Sequence, residues 1–375
     1  MGILFWQWNA FMQKGMERAL KDLNIEYEVY FYQLNDWEKD DIFKEKFRDK
    51  LSQHRYHTVL SVNYCPLISE LCQKEGIKYV SWVYDAPIHI RDIRSFHNSC
   101  NQIYFFDRGQ IEKYKKAGYS NIHHLPLAAD TEVWEIEKDR KYECDVAFVG
   151  RLYKSDYAYL MGPLPEYYRG MMEGIINAQG KVYGAYFLEE IIADSLTKEL
   201  NVFYLGASKG KWEVKREELE FACACEITGR ERQMTLALLA KRYHVHLYSE
   251  DDSQKIEGVS NSGYVEYYSE MPSAFKGAKI NINISLKAIR TGIPLRILDV
   301  MSCGGFLITN FQEELLEYFE PNEDLVFYED MKDLILKVEY YLKNVKERER
   351  IARNGFYKVK KYFNFKDRIK VLLKR

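Results

Sequence analysis

Short apolar runs alternate with helical patterns through the first half of the chain, and that alternation leaves few folds open. Residues 3–6, 28–32, 58–62, 79–84, 102–106 and 122–125 read as strands, with 11–23, 42–53, 66–75 and 110–117 as the helices between them. Strands this uniformly apolar, separated by helices, predict a parallel sheet covered on both faces. In such a sheet the ligand crevice lies outside the carboxyl ends of the strands. The residues just past those ends are therefore the first candidates: Gln7-Trp8-Asn9, Asn63-Tyr64, Asp85-Ala86-Pro87 with His89, and Asp107-Arg108. Asp85 and His89 form the best acid–base pair, since a carboxylate and an imidazole on one loop can share or relay a proton. Two structural readings stand beside that chemistry, Asp85 as a cap or Asx turn before Pro87 and His89 as a partly buried polar residue. Asp107 reads as a helix cap. No glycine-rich phosphate loop occurs in this half, which argues against a dinucleotide site there.

A chain of 375 residues is long for one core and comfortable for two domains. Its net charge of −2 argues against a general nucleic-acid binder, which needs a basic excess. The seven cysteines are scattered, and Cys223 and Cys225 lack the spacing and the partner pair of a zinc site. No metal site is expected, and a reducing, cytoplasmic setting is. The first residues lack the basic leader and apolar core of a signal peptide, and no run approaches the roughly 18 apolar residues of a spanning helix. The thirty tyrosines admit two readings, ordinary packing or carbohydrate stacking in a cleft.

The domain plan that follows is a first α/β domain over 1–130, a charged linker over 131–144, a second α/β domain over 145–362 and a tail over 363–375. Within the second domain, residues 155–228 are helix-rich and aromatic and read as an insertion. Its first strand, 145–149, runs into Gly150 and Arg151, with Lys154 just beyond, a basic group facing the crevice edge and suited to a diphosphate. Solvated surface charge is the plainer reading of the same residues. A further strand is expected at 245–248 and another beside Gly263 and Tyr264.

The segment 280–310 is the densest in signals. Ile280, Ile282 and Ile284 alternate with Asn281, Asn283 and Ser285 as a strand. The chain turns at Thr291-Gly292 and restarts as a helix with Pro294 near its first position, where a missing N–H costs nothing. That helix runs to Cys303, stops at Gly304-Gly305 and gives way to a strand over 306–309. Arg290 and Arg296 flank the helix start, where the macrodipole disfavours cations. A bound phosphate would reconcile them with that position, and Asp299, on the same face as Arg296, could accept from a ribose hydroxyl. The alternative is a surface pair, Arg296 with Asp299, beside a solvated Arg290.

Two α/β domains with the phosphate features all in the second is the layout of a GT-B glycosyltransferase, two Rossmann-like domains facing a central cleft. The stretch IPLRILDVMSCGGFLITNFQEELLEYFEPNEDLVFYEDMKDLILKVEYYL, followed by ERERIARNGFYKVKKYFNFKDRI, resembles the C-terminal glycosyltransferase module of CgeB-like bacterial proteins. The motifs SWVYDAPIHI, YFFDRGQ, KKAGY and HHLPLAAD resemble that family's N-terminal domain. The resemblance implies sugar transfer from a nucleotide sugar, a UDP-sugar first among them, to a protein or glycan acceptor, without a tightly bound metal or cofactor. Related family 4 enzymes carry two acidic residues eight apart around the donor helix. The ribose-binding one falls on Asp299 and the other on Thr291, where this chain departs from the pattern. The diphosphate-gripping arginine and lysine fall on Arg151 and Lys154, and Gly304 with Gly305 would let the chain pass close to the sheet beside the donor. On the reading adopted here the nucleotide base is expected near Tyr264. Two rivals stay open: a nucleotide-sugar epimerase of the same architecture, and a non-catalytic surface or coat component that keeps the fold.

Overall fold

The computed structural model describes residues 2–53, 55–131, 141–251 and 255–374. The chain divides into two compact units, one comprising Met1–Trp134, Thr291–Ser302 and Tyr357–Arg375, the other Glu135–Arg290 and Cys303–Phe356.

The first unit opens with β1 (Gly2–Gln7), α1 (Gln13–Asp22), β2 (Tyr27–Phe31), α2 (Asp41–Leu51), β3 (Tyr56–Val62), α3 (Pro66–Glu75) and β4 (Lys78–Val83). It continues with β5 (Asn101–Phe105), α4 (Arg108–Lys116) and β6 (Ile122–His124). The strands pair in parallel in the order β2-β1-β3-β4-β5-β6, as the alternation of apolar runs and helices requires. Local signals set the helix ends. The Asp40 side chain accepts from the Phe43 N–H at 2.8 Å to start α2, and α3 begins on Pro66 and ends at Gly76 in the left-handed region, φ 65°. Trp6, Trp82, Phe43, Phe47 and Phe105 are fully buried, each contributing roughly 1.5–3 kcal/mol of transfer free energy.

The second unit opens with β7 (Cys144–Val149) and a run of helices: α5 (Tyr157–Met161), α6 (Glu166–Gly180), α7 (Leu188–Ile191), α8 (Asp194–Ala207) and α9 (Arg216–Ala240). Then come β8 (Val245–Tyr248), β9 (Val259–Asn261), α10 (Met271–Lys276) and β10 (Ala278–Asn283). The segment α11 (Leu295–Ser302) belongs to the first unit, after which β11 (Leu307–Asn310), β12 (Val326–Tyr328) and α12 (Met331–Lys343) complete the second. The last helices are α13 (Val345–Tyr362) and α14 (Phe365–Leu372). The sheet is parallel in the order β12-β11-β10-β7-β8-β9. The first strand is central, the chain moves outward through β8 and β9, and β10 returns to its other side. The strand order therefore reverses between β7 and β10, the topological switch point where open α/β sheets form their crevice.

Several boundaries differ from expectation. The inserted helices carry their own core around Met172, Leu200, Tyr204 and Cys223, but the expected end at 228 cuts α9, a single helix of 25 residues. Gly229 does not break it. A Cβ there would lie 2.8 Å from the Leu152 carbonyl oxygen, so this glycine serves the close passage of the loop after β7. The strand expected beside Gly263 lies earlier, as β9. The Asn261 side chain accepts from the Gly263 N–H at 2.9 Å, an Asx turn that ends the strand, and Gly263 turns away at φ 75°. The expected linker falls largely on 132–140, outside the described residues. The expected tail over 363–375 forms α14 of the first unit, whose Phe365 fills the space a side chain at Gly15 of α1 would need. Strand β10 is buried on both faces. Asn281 and Asn283 bond inward, to the Phe275 carbonyl and the Thr309 hydroxyl, each at 3.0 Å, rather than facing solvent. Among the described residues no helix is long and apolar enough to cross a membrane.

Candidate functional site

At the switch point of the second sheet the ends of β7 and β10 lie under an arginine from α9. Arg232 is 7% exposed; its Nε donates to the Ile284 carbonyl at 3.0 Å, its Nη2 to the same oxygen, and its Nη1 to the Arg151 carbonyl. One guanidinium thus satisfies the backbone just past β7 and just past β10, while lying 5.0 Å from the Phe148 ring centroid and 4.7 Å from that of Tyr153. Its neighbour Glu231 accepts from the hydroxyls of Tyr183 at 2.7 Å and Tyr328 at 3.0 Å, and faces the Lys287 ammonium at 3.3 Å. Lys287 sits over the Tyr183 ring at 4.0 Å, and its own backbone N–H donates to the Thr228 hydroxyl at 3.0 Å. Burial first, and the Glu231 charge second, raise the Tyr183 and Tyr328 phenols well above their ordinary values, so both stay protonated as donors.

A second ionic cluster lies on the same loop. Arg290 pairs with Glu189, lies 3.7 Å from Glu220 and stands 5.0 Å from the Tyr186 ring centroid, while the Tyr186 hydroxyl donates to Glu220 at 2.7 Å. Burial works against the Arg290 charge, but the two carboxylates outweigh it and raise its pKa. Lys287 and Arg290, with Ser285, Asn310, Tyr183 and Tyr186, line a small depression past the ends of β10 and β11. Its rim is held by polar side chains, the Asn310 side-chain Oδ1 accepting from the Ser285 N–H at 2.7 Å and the Asn283 amide donating to the Ser285 hydroxyl at 3.0 Å.

The residues read from sequence are distributed as follows. Gly150 follows β7 at φ 155°, and Arg151 is well exposed, 3.7 Å from an exposed Glu250. Lys154 is exposed and faces a depression among the inserted helices. Tyr264 is 58% exposed beyond β9. Arg290 belongs to the cluster above, so the counter-charge that sequence reasoning sought in a bound anion is supplied by Glu189 and Glu220. Arg296 stands 3.4 Å from Asp299 in an i,i+3 pair on α11, and Asp299 is 1% exposed. Gly304 takes φ 69° after α11, the left-handed turn expected of it.

In the first unit Asp85 accepts from the Asn63 amide at 2.6 Å, and the same Asn63, at φ 60°, accepts from the Tyr84 N–H at 3.0 Å. No helix starts at Asp85, so it is not a helix cap, and His89 is exposed. Asp107 does cap α4, accepting from the Gly109 N–H at 3.0 Å, and it does more. The same Oδ1 accepts from the Thr291 N–H at 3.1 Å, the Thr291 hydroxyl at 3.0 Å and the Gly292 N–H at 3.3 Å. Thr291, where the resemblance expects an acid, therefore has a buried carboxylate against it. Gly292 has no room for a side chain, since a Cβ would lie 2.8 Å from the Phe106 carbonyl oxygen. Sequence reasoning missed Glu231, Arg232 and Lys287. The available signal was a charged pair, Glu231-Arg232, at helical spacing from Ile227, Thr228, Thr235 and Leu236 of a long helix. Among the described residues no group of three His, Cys, Asp or Glu side chains could hold a metal ion.

Residues 230–374 match the family described as glycosyl transferase-like. No curated protein sequence matches the chain. Three solved structures resemble it along the whole chain: Anabaena HepE in complex with UDP (TM-score 0.56, 11% identity, 100% of both chains), a glycosyltransferase from Rickettsia africae (0.59, 8%, 100% of this chain and 98% of that one), and sucrose-phosphate synthase from Thermosynechococcus elongatus (0.57, 10%, 100% and 98%). With its two parallel six-stranded sheets and flanking helices, the fold is GT-B.

Proposed function

We propose that this protein is a glycosyltransferase that moves a sugar from a UDP-sugar to a protein or glycan acceptor. The observation that carries this reading is a GT-B fold whose second sheet reverses its strand order beside a polar depression lined by Lys287 and Arg290. Phosphate is the ligand class suited to such a site, and the UDP held by HepE makes UDP the first nucleotide to try. Lys287, with Arg151 and Arg296, neutralises charge that builds on the leaving diphosphate, the largest catalytic term available to a transferase of this type. Arg290 contributes the same from its carboxylate cradle. Asp299 takes the ribose, Tyr264 the base side, and the backbone at Gly150, Thr291 and Gly304 shapes the donor's surroundings. Asp85 and His89, from the first unit, serve the acceptor hydroxyl as a base held in place by Asn63. Positioned cations take the role a divalent metal plays in other transferases, and a CgeB-like, cytoplasmic bacterial hexosyltransferase is the finer form of the reading.

The test is thermal unfolding with UDP, GDP, TDP and ADP, followed by incubation of the stabilising nucleotide's sugars with and without acceptors. A ligand that binds only the native state raises the melting temperature, and UDP is expected to do so most. Absence of any nucleotide-dependent shift overturns the proposal in favour of a non-catalytic coat component. Conversion of the sugar nucleotide to an isomer without acceptor overturns it in favour of an epimerase.

A further inference from the structure

The inserted helices of the second unit frame a depression of about 480 Å³, a volume within the range of ligand sites. It is separate from the Lys287–Arg290 depression and shares no lining residue with it. Tyr159, Trp212 and Phe221 supply its aromatic surface. Tyr159 is 74% exposed, an unusual state for a large ring, and its centroid lies 6.3 Å from that of Trp212. Trp212 is anchored from behind by Tyr204, with ring centroids 5.2 Å apart, so its orientation is set before any ligand arrives.

Four of the polar groups around these rings are uncommitted. The Lys154 ammonium, the Asp156 carboxylate, the Tyr159 hydroxyl and the Trp212 indole N–H have no hydrogen-bond partner among the described residues. Asp156 occupies the N-cap position of α5 without capping it. Glu218, which accepts from the Lys215 N–H at 3.1 Å to cap α9, adds a second carboxylate. The rim thus offers donors and acceptors together, with more negative charge than positive. A phosphate or a polyanion is repelled there. A neutral sugar chain is suited to it, because its C–H faces stack on aromatic rings while its hydroxyls both donate and accept.

We infer that this depression binds a neutral oligosaccharide, the acceptor glycan of the transfer reaction. The identification of that glycan as acceptor rests on the glycosyltransferase reading; the sugar site itself does not. On this view the insertion adds a recognition platform to the GT-B fold, and Lys154 serves the acceptor chain rather than the donor diphosphate.

The test uses cellotetraose, maltotetraose and chitotetraose as neutral probes, a hyaluronan tetrasaccharide as the anionic one, and UDP as the donor-site probe, each titrated calorimetrically into the full chain. At least one neutral probe is expected to bind, and Trp212→Ala and Tyr159→Ala each to weaken it about ten-fold, the loss of one stacked ring. Tyr159 is exposed enough that its variant folds even where Trp212→Ala does not. Tyr167→Ala, an equally exposed tyrosine outside the depression, is expected to leave binding unchanged. UDP affinity should be the same in all variants. Binding of none of the neutral probes, preference for the anionic one, or equal affinity in the Tyr159 and Tyr167 variants overturns the inference. Oligosaccharide binding by a protein that neither UDP nor any of the other three nucleotides stabilises supports this site while overturning the transferase reading.

Discussion

Both sheets are six-stranded and parallel, yet the two units handle charge at their strand ends differently. In the first, Asp107 spends one carboxylate oxygen on backbone N–H groups and a hydroxyl, and Asp85 takes the amide of Asn63. Both carboxylates take neutral donors, backbone N–H groups, a hydroxyl and an amide, and through them fix loops. In the second, Glu231, Arg232, Lys287, Arg290, Glu189 and Glu220 are packed among tyrosines near the switch point. Desolvating that many charges costs several kcal/mol per ion, and pairing repays it incompletely. A fold seeking only stability has apolar alternatives, so the contrast marks the second unit's strand ends as the place where charge is kept for use.

The largest effect expected from breaking this contrast is at Glu231. Glu231→Ala removes the acceptor of two buried tyrosine hydroxyls and strands the Lys287 ammonium, and should destabilise by about 3–5 kcal/mol in denaturant unfolding. A cost below about 1 kcal/mol would mean that the network is solvated and that the contrast is superficial. Next comes Asp107→Ala, which frees the backbone of α4 and of the Thr291-Gly292 turn and should cost about 2–3 kcal/mol. Asp107→Asn should recover part of that, because an amide oxygen still accepts; equal losses in the two variants would show that charge, not acceptance, matters there. The smallest structural effect is expected at Arg296, partly exposed in its i,i+3 pair. Arg296→Ala should shift stability by less than about 1 kcal/mol yet weaken UDP binding about ten-fold, separating ligand charge from folding charge. Unchanged UDP affinity in that variant returns Arg296 to a structural pair with the buried Asp299.

The alternation of apolar runs and helical stretches was enough to predict a parallel sheet in each unit, because strands buried on both faces are mostly apolar, the inward-bonded Asn281 and Asn283 of β10 aside, and their parallel crossovers must be helical. Pro66, Gly76, Asp107 and Gly304 marked their helix ends through backbone requirements that act within a few residues. The candidate site was legible only in outline. Arg290 stood out as a cation near a helix start, but its carboxylates, Glu189 and Glu220, lie on inserted helices far away in the chain, and no local pattern announces such a pairing. The insertion was expected to end at 228, whereas Gly229 lies inside α9, at the point where that helix passes the loop after β7. Asp107 read as a cap, and only the folded chain brings Thr291 and Gly292 onto the same oxygen. Backbone propensity and burial period are properties of neighbouring residues, so the sequence by itself determined the elements and their layering. Charge compensation and close packing depend on which distant segments meet, and for these only the tertiary structure decided.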